Sequence, residues 1–363
     1  MHVGIVLHPF GNSSKGLEQY VFESTKAILE KSVGDITVTV FVKGDSDTSS
    51  LPAGTPVIKL PDSIFWNLFL IPWYRKCDTF IFFTESAPFF LWKKSIIVFL
   101  DAAYYHFVES TFFSKIKRIF LAWWRKHMML AAQHVVTISE ASKKDLLDIF
   151  KIQDQHVSVI YPGFKSLKYS KNTITLVNEK TYFMYVGPMK ERKNVVAIVE
   201  AYIRFHEMTD FNHQLILVGR KSSGTYADKV NKLVEKSIYR DSIIFKTSVN
   251  DEELQEMYTQ AAALVYPSLL EGFGLPILEA LSCGCMVITS NTTSTKEVVG
   301  KAGFLVNPHE VYEIADAMAH VANYDYDEEE FKVAAREQCD KFSWEKSGVE
   351  WCKILREKCP TTK

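Results

Sequence analysis

The chain has 363 residues, with 42 lysines and arginines against 43 aspartates and glutamates, for a formal net charge of −1. That length allows two domains, and the near-neutral balance excludes the basic excess of a nucleic-acid binder. No run is long and apolar enough to span a bilayer, while 25 phenylalanines and 16 tyrosines supply large cores with some aromatics left for a surface.

The opening MHVGIVLHPF lacks a basic region and is too short for a secretion signal, so residues 3–7 read as a first strand. A helix is predicted over about 17–30, and residues 36–42 alternate as a strand. Asp45 and Asp47 have a spacing seen at metal sites, but the surrounding GDSDTSS has the composition of an ordinary turn. Residues 57–60 read as a strand, 63–74 as an aromatic helix broken at Pro72, and 80–83 and 96–100 as buried strands, with Asp101 ending the second. Residues 107–130 read as a long helix mixing aromatics with Lys115, Lys117, Arg118, Arg125 and Lys126. The favoured reading is a core-facing helix with a solvated basic side; the alternative is peripheral contact with a membrane surface. A strand at 135–138, a helix opened by SEASKKDLL with Ser139 or Ser142 as cap, and a strand at 156–160 close this half.

Residues 165–180 lose apolar periodicity and read as a linker. A second series follows, with strands at 182–186, 214–218, 243–246, 264–266 and 287–289. Helices lie between them at about 195–207, 225–238, 251–262 (capped by Asn250 or Asp251) and 275–283. Two alternating blocks imply two doubly wound parallel-sheet domains, 1–165 and 178–342, followed by an amphipathic helix at about 343–359. The six cysteines show no metal spacing beyond one Cys-x-Cys, and a reduced, cytoplasmic setting fits them.

The chemistry concentrates in 264–291, LVYPSLLEGFGLPILEALSCGCMVITSN. It reads as strand, Gly-rich loop, helix, strand, the arrangement that puts a loop at the carboxyl end of a parallel sheet. Gly272 and Gly274 let the backbone approach a ligand, and amides around Phe273, Gly274 and Leu275 face a phosphate at a helix N-terminus. Glu271 precedes that helix and Glu279 is expected in its first turn. Carboxylates bind hydroxyls, so two of them around a phosphate cradle suggest a ligand with ribose at one end and a sugar at the other. In VGPMKERKN, Arg192 and Lys193 pair a fork-shaped guanidinium with a compact ammonium, which suits a diphosphate. Gly219 and Arg220 follow a strand in a similar position.

The E-x7-E spacing in EGFGLPILEA, with YPS before it and CGCMVITSN after it, resembles the signature of the retaining GT-B glycosyltransferases. That group includes sucrose synthases and many bacterial mannosyltransferases. The resemblance implies an α/β GT-B fold of two Rossmann-like domains facing a cleft. The first domain would bind a glycan or lipid-linked acceptor and the second a nucleotide-sugar donor, with the last helix returning to the first domain. It implies Glu271 at the donor sugar and Glu279 at the ribose. Gly187 would form the first donor loop, Gly219 with Arg220 a second, and Val249 would hold the base through its backbone. On the acceptor side, Gly16 in SKGLEQY resembles the glycine of the first acceptor loop. VFLDAAYYHF resembles an HD turn that keeps Asp101 but has Leu100 at the His position, with His106 nearby. Pro188 stands where many members have Arg.

The expected catalytic set is Glu271, Arg192, Lys193 and Asp101, with both cations exposed. Transfer would retain configuration and need neither a metal ion nor a cofactor besides the nucleotide sugar, at the inner face of a membrane or free in the cytoplasm. An NAD enzyme is disfavoured because GIVLHPFGNSSKG is not G-x-G-x-x-G. A GT-B-like binding subunit without turnover stays open through Leu100 and Pro188.

Overall fold

The computed structural model describes residues 1–8, 16–32, 34–44, 46–63, 65–107, 112–165, 181–219 and 224–359. The chain divides into two units, Met1–Gly163 with Phe342–Lys363, and Phe164–Lys341.

Short apolar runs become strands of the first unit because a sheet covered on both faces tolerates continuous hydrophobic sequence. They are β1 (His2–Leu7), β2 (Thr37–Lys43), β3 (Val57–Leu60), β4 (Thr79–Phe82), β5 (Ser95–Phe99), β6 (His134–Thr137) and β7 (Val157–Val159). Their order is β3-β2-β1-β4-β5-β6-β7 and every pairing is parallel. The helices are α1 (Gly16–Lys31), α2 (Ala103–His106), α3 (Phe112–Ala131) and α4 (Glu140–Phe150). Ser139 caps α4 by accepting the Ser142 N–H at 3.0 Å.

In the second unit the strands are β8 (Tyr182–Val186), β9 (Gln214–Val218), β10 (Ile243–Lys246), β11 (Ala263–Tyr266), β12 (Met286–Ser290) and β13 (Phe304–Val306). The helices are α5 (Val195–Met208), α6 (Thr225–Lys236), α7 (Asp251–Gln260), α8 (Leu275–Ser282), α9 (Thr293–Val299), α10 (Val311–Ala322) and α11 (Glu328–Lys341). The sheet order is β10-β9-β8-β11-β12-β13, again all parallel. Both sheets reverse their winding direction between two central neighbours, β1/β4 and β8/β11, and such a reversal is where open α/β sheets bind ligands. α7 opens with a capping box in which Asn250 and Glu253 each accept the other's backbone N–H.

The last helix, α12 (Trp344–Lys358), packs on α1 within the first unit. The approach is close: a Cβ at Gly348 would lie 2.5 Å from the Ala27 carbonyl oxygen. Trp351 is fully buried there and meets Phe83 edge-on. Arg356 clamps both carboxylate oxygens of Asp35 at 3.1 Å.

Two expectations change. The aromatic stretch 63–74 is a 3₁₀ run, Trp66–Trp73, with Pro72 inside it. Proline lacks an N–H and disfavours α geometry in the residue before it, so the α pattern does not propagate. Phe107, the expected start of the long helix, instead follows the separate turn of α2 outside any helix, and the described helix is Phe112–Ala131, with 108–111 outside the described residues. Of the basic residues named there, the side chains of Lys115, Lys117 and Arg118 lie outside the described residues. Arg125 turns inward to Glu85, and the exposed side chains among the helix's described residues are mainly apolar. Asp45, Arg220 and the linker residues 166–180 lie outside the described residues. Asp47 accepts the Ser49 N–H at 2.9 Å, an ordinary turn contact. None of the six cysteines forms a disulfide.

Candidate functional site

The second unit brings its two loops together at the switch point. β8 and β11 are hydrogen-bonded neighbours, so the loops that follow them emerge side by side. After β8 the chain makes a 3₁₀ turn, Glu191–Lys193, and then turns through Asn194 at φ 57°. Asparagine tolerates that left-handed geometry. Its amide donates to the carbonyls of Pro267 and Pro308, which ties the turn to the loop after β11. The Leu269 N–H donates to the Arg192 carbonyl at 2.8 Å, a backbone link between the same loops.

Three predicted residues meet here. Lys193 donates to Glu271 Oε1 at 2.5 Å and also to the Tyr266 hydroxyl. Arg192 donates to Glu271 Oε2 at 3.1 Å and to the Leu270 carbonyl at 3.2 Å. The Lys193 ammonium lies 4.8 Å from the Tyr266 ring centroid, and Tyr266 stacks on Tyr185. Burial pushes the Glu271 carboxyl up, but Lys193 and then Arg192 outweigh it and hold it below its usual range. The expectation of two exposed cations is corrected for one of them. The Lys193 side chain is only 8% exposed, while Arg192 keeps 24%. Lysine is buried only when paired, and Glu271 with the Tyr266 face provides that pairing.

Gly274 ends the loop at φ +113°, where a side chain would be strained, and α8 starts directly after it. The first-turn amides of α8 therefore open on the loop that holds Glu271. Phe273 is buried and Leu275 half-buried. Two serines that the sequence reading passed over fix this loop. Ser294 donates to the carbonyls of Glu271 and Phe273, both at 2.9 Å, and Ser290 donates to that of Ser268. Their signal was a Ser/Thr run, SNTTST, that starts at the last residue of a buried strand.

Glu279 lies one turn into α8 rather than in its first turn, because the helix begins at Leu275. It accepts the Tyr258 hydroxyl at 3.2 Å, and burial pushes its carboxyl up to about 7. Gly187 and Gly219 follow the neighbouring strands β8 and β9, and a Cβ on Gly219 would lie 2.0 Å from the Gly187 carbonyl oxygen. Val249 is half-buried just before the cap of α7.

The remaining predicted residues belong to the first unit. Gly16 starts α1, Asp101 accepts the Ala103 N–H at 2.9 Å, and His106 is exposed at the end of α2. The sequence reading missed two groups nearby. His8, just past β1, stacks at a tilt on Trp66 with its ring centroid 5.1 Å away, and burial lowers its pKa. Glu85, past β4, pairs with Arg125 at 2.8 Å, and Arg125 donates to the Tyr105 hydroxyl. Burial raises Glu85 to about 7 against the pull of Arg125, and Asp101 adds to the rise. Among the described residues, no cluster of His, Cys, Asp and Glu is arranged to hold a metal ion.

Residues 170–338 match the family described as Glycosyl transferases group 1, and residues 15–165 match Glycosyltransferase Family 4. The fold is GT-B, two parallel-sheet α/β domains. The GT-B architecture recurs in the crystal structure of Anabaena HepE in complex with UDP-glucose, at TM-score 0.75 and 15% identity over 98% of this chain and 99% of that one. In sequence, the O-antigen chain mannosyltransferase B of Escherichia coli is 40% identical over 167 residues, 45% of this chain and 42% of that protein. The O-antigen chain mannosyltransferase RfbU of Salmonella typhimurium is 27% identical over 228 residues, 59% of this chain and 62% of its own. The matched stretch thus spans less than half the length of the E. coli relative.

Proposed function

We propose that this GT-B protein transfers a hexose, mannose or a close relative, from a nucleoside-diphosphate sugar to a glycan or lipid-linked acceptor with retention of configuration. The observation that carries the reading is the meeting of Arg192, Lys193 and the start of α8 at the β8/β11 switch point. Two cations and a helix N-terminus beside one another suit a leaving diphosphate. They stabilise the negative charge that grows as the glycosidic C–O bond breaks. The protein itself supplies those cations, so the reaction is expected to run without a metal ion. The names of the E. coli and Salmonella relatives support mannose, and the UDP-glucose held by HepE supports a nucleotide-sugar donor.

Glu271 then orients the two cations. Both its oxygens accept from Arg192 and Lys193, which argues against its use as a covalent nucleophile. A front-face transfer fits better. The acceptor hydroxyl bonds to the anomeric carbon on the face the diphosphate leaves, and a diphosphate oxygen takes the hydroxyl proton. Glu279 and Val249 would meet the ribose and base, and Asp101 the acceptor side. A binding subunit without turnover is the second reading, favoured by Leu100 at the family's His position.

A thermal-shift panel of GDP-, UDP-, ADP- and TDP-sugars identifies the donor. Turnover of that donor with EDTA present, followed by NMR of the product's anomeric centre, then tests the reaction. Retention and unchanged rates are expected. An inverted product, or activity restored only by Mn²⁺, overturns the reading. Donor binding with no hydrolysis or transfer favours the binding subunit.

A further inference from the structure

The two acids of the β11–α8 segment stand in opposite surroundings. Glu271 is met by two cations, whereas no cation pairs with Glu279 among the described residues. Glu279 is half-buried, and its side-chain partner is the hydroxyl of Tyr258, a fully buried residue of α7. The other titratable groups around it are Asp251 at the start of α7, Cys283 at the end of α8, Cys285 ahead of β12 and, beside Cys283, Cys339 of α11. α9 and β11 also pack on α8 and bring no charge to bear on it. Burial pushes the thiols of Cys283 and Cys339 up to about 12 and the Tyr258 hydroxyl well above its usual range. These groups therefore stay neutral, Tyr258 stays a donor, and the nearby charge of Asp251 is negative.

A carboxyl drawn out of water without a counter-charge keeps its proton. Glu279 accordingly titrates at about 7 and is largely protonated in mildly acid solution. A ribose changes that balance. Its two vicinal hydroxyls are donors, and Tyr258 already donates to Oε2 at 3.2 Å. A carboxylate accepts all of these O–H groups across its two oxygens, whereas the neutral acid has its own proton on one of them. Hydrogen bonds to the charged form favour that form. The O–H bond of Glu279 then breaks, the electron pair stays on the carboxylate, and the proton passes to solvent.

We propose that binding of the nucleotide sugar expels a proton from Glu279, with Tyr258 positioning the carboxylate for the ribose, so that acid weakens the hold on the donor. This coupling rests on the second unit as the donor site proposed above. The test is calorimetric titration of the full-length protein with GDP-mannose, UDP-glucose, ADP-glucose and TDP-glucose at pH 6 and pH 8. Each titration is run in two buffers of different ionisation enthalpy, which counts the protons released. None of the four donors titrates between those pH values. The donor that binds should release about one proton at pH 6 and almost none at pH 8, and its affinity should rise about tenfold between them. Glu279→Gln should bind without release and with no pH dependence over that range. Tyr258→Phe removes a donor to the charged form, so the pH midpoint of release should move up. A merely structural role for Tyr258 would lower the unfolding temperature and leave that midpoint where it is. Binding with no proton released at pH 6, or release that persists in Glu279→Gln, overturns the proposal while the donor site stands. An unmoved midpoint in Tyr258→Phe overturns the positioning role. Binding of none of the four donors overturns the coupling together with the donor site beneath it.

Discussion

Burial separates the roles of two adjacent cations. Lys193 is enclosed by Glu271 and Tyr266, so Lys193→Ala leaves a buried carboxylate short of counter-charge and should cost about 3–5 kcal/mol of stability, read from urea unfolding. Arg192 is more exposed, and Arg192→Ala should cost about 1 kcal/mol of stability or less. Its loss should instead cut turnover, by about 10²–10³ if it serves the leaving diphosphate. Glu279 makes a different prediction. Its folded pKa, about 7, lies above its ordinary 4.5, so the folded state holds the proton more tightly. Its contribution is complete below about pH 4.5 and is lost as pH rises to about 7. Glu279→Gln should therefore flatten the fall in unfolding midpoint between pH 5 and pH 7; an unchanged slope assigns that fall to other groups. Residue types alone revealed Arg192 and Lys193 as a charged pair. They did not reveal which one is buried, because Tyr266 and Glu271 arrive from more than 70 positions away.

At the scale of elements, β8, β9 and β10 take the extents read from sequence, because continuous apolar runs mark strands buried on both faces. Between residue 289 and the final helix, no element was expected from sequence where β13 and α9 to α11 lie. α11 shows why: EEEFKVAAREQCDK buries only Phe331, Ala334 and Ala335, too narrow a stripe to stand out. The 3₁₀ run was hidden for the opposite reason, since its apolar residues face solvent as well as core. The resemblance implied that the last helix returns to the first domain, but the close approach of α12 to α1 was not legible, because it depends on what Gly348 lacks. Gly348→Val should force the helices apart against the Ala27 backbone and cost about 1–3 kcal/mol, measurable as a lower urea midpoint. The loop around Glu271 was legible in its glycines and acids, but not in the serines that hold it, since serine marks loops of every kind.

At the scale of the whole molecule, each unit has its own parallel sheet, so their unfolding should separate once one is weakened. Ending the chain after Lys341 removes α12 and its burial of Trp351. Calorimetry should then show the first unit melting earlier while the second keeps its transition, and nucleotide-sugar affinity should persist if the donor is bound by the second. A single unshifted transition would mean that α12 contributes nothing. The return of α12 also means that the first unit is written in two pieces, with all of Phe164–Lys341 inserted between them. The two junctions meet: the Tyr161 and Phe342 rings lie 5.1 Å apart, and a Cβ on Gly163 would overlap the Trp344 backbone. During synthesis the inserted unit therefore emerges whole, and can fold, before the ribosome has made the helix that completes its host. The first unit to begin is the last to finish, and until then the face of α1 that awaits α12 stays open to chaperones.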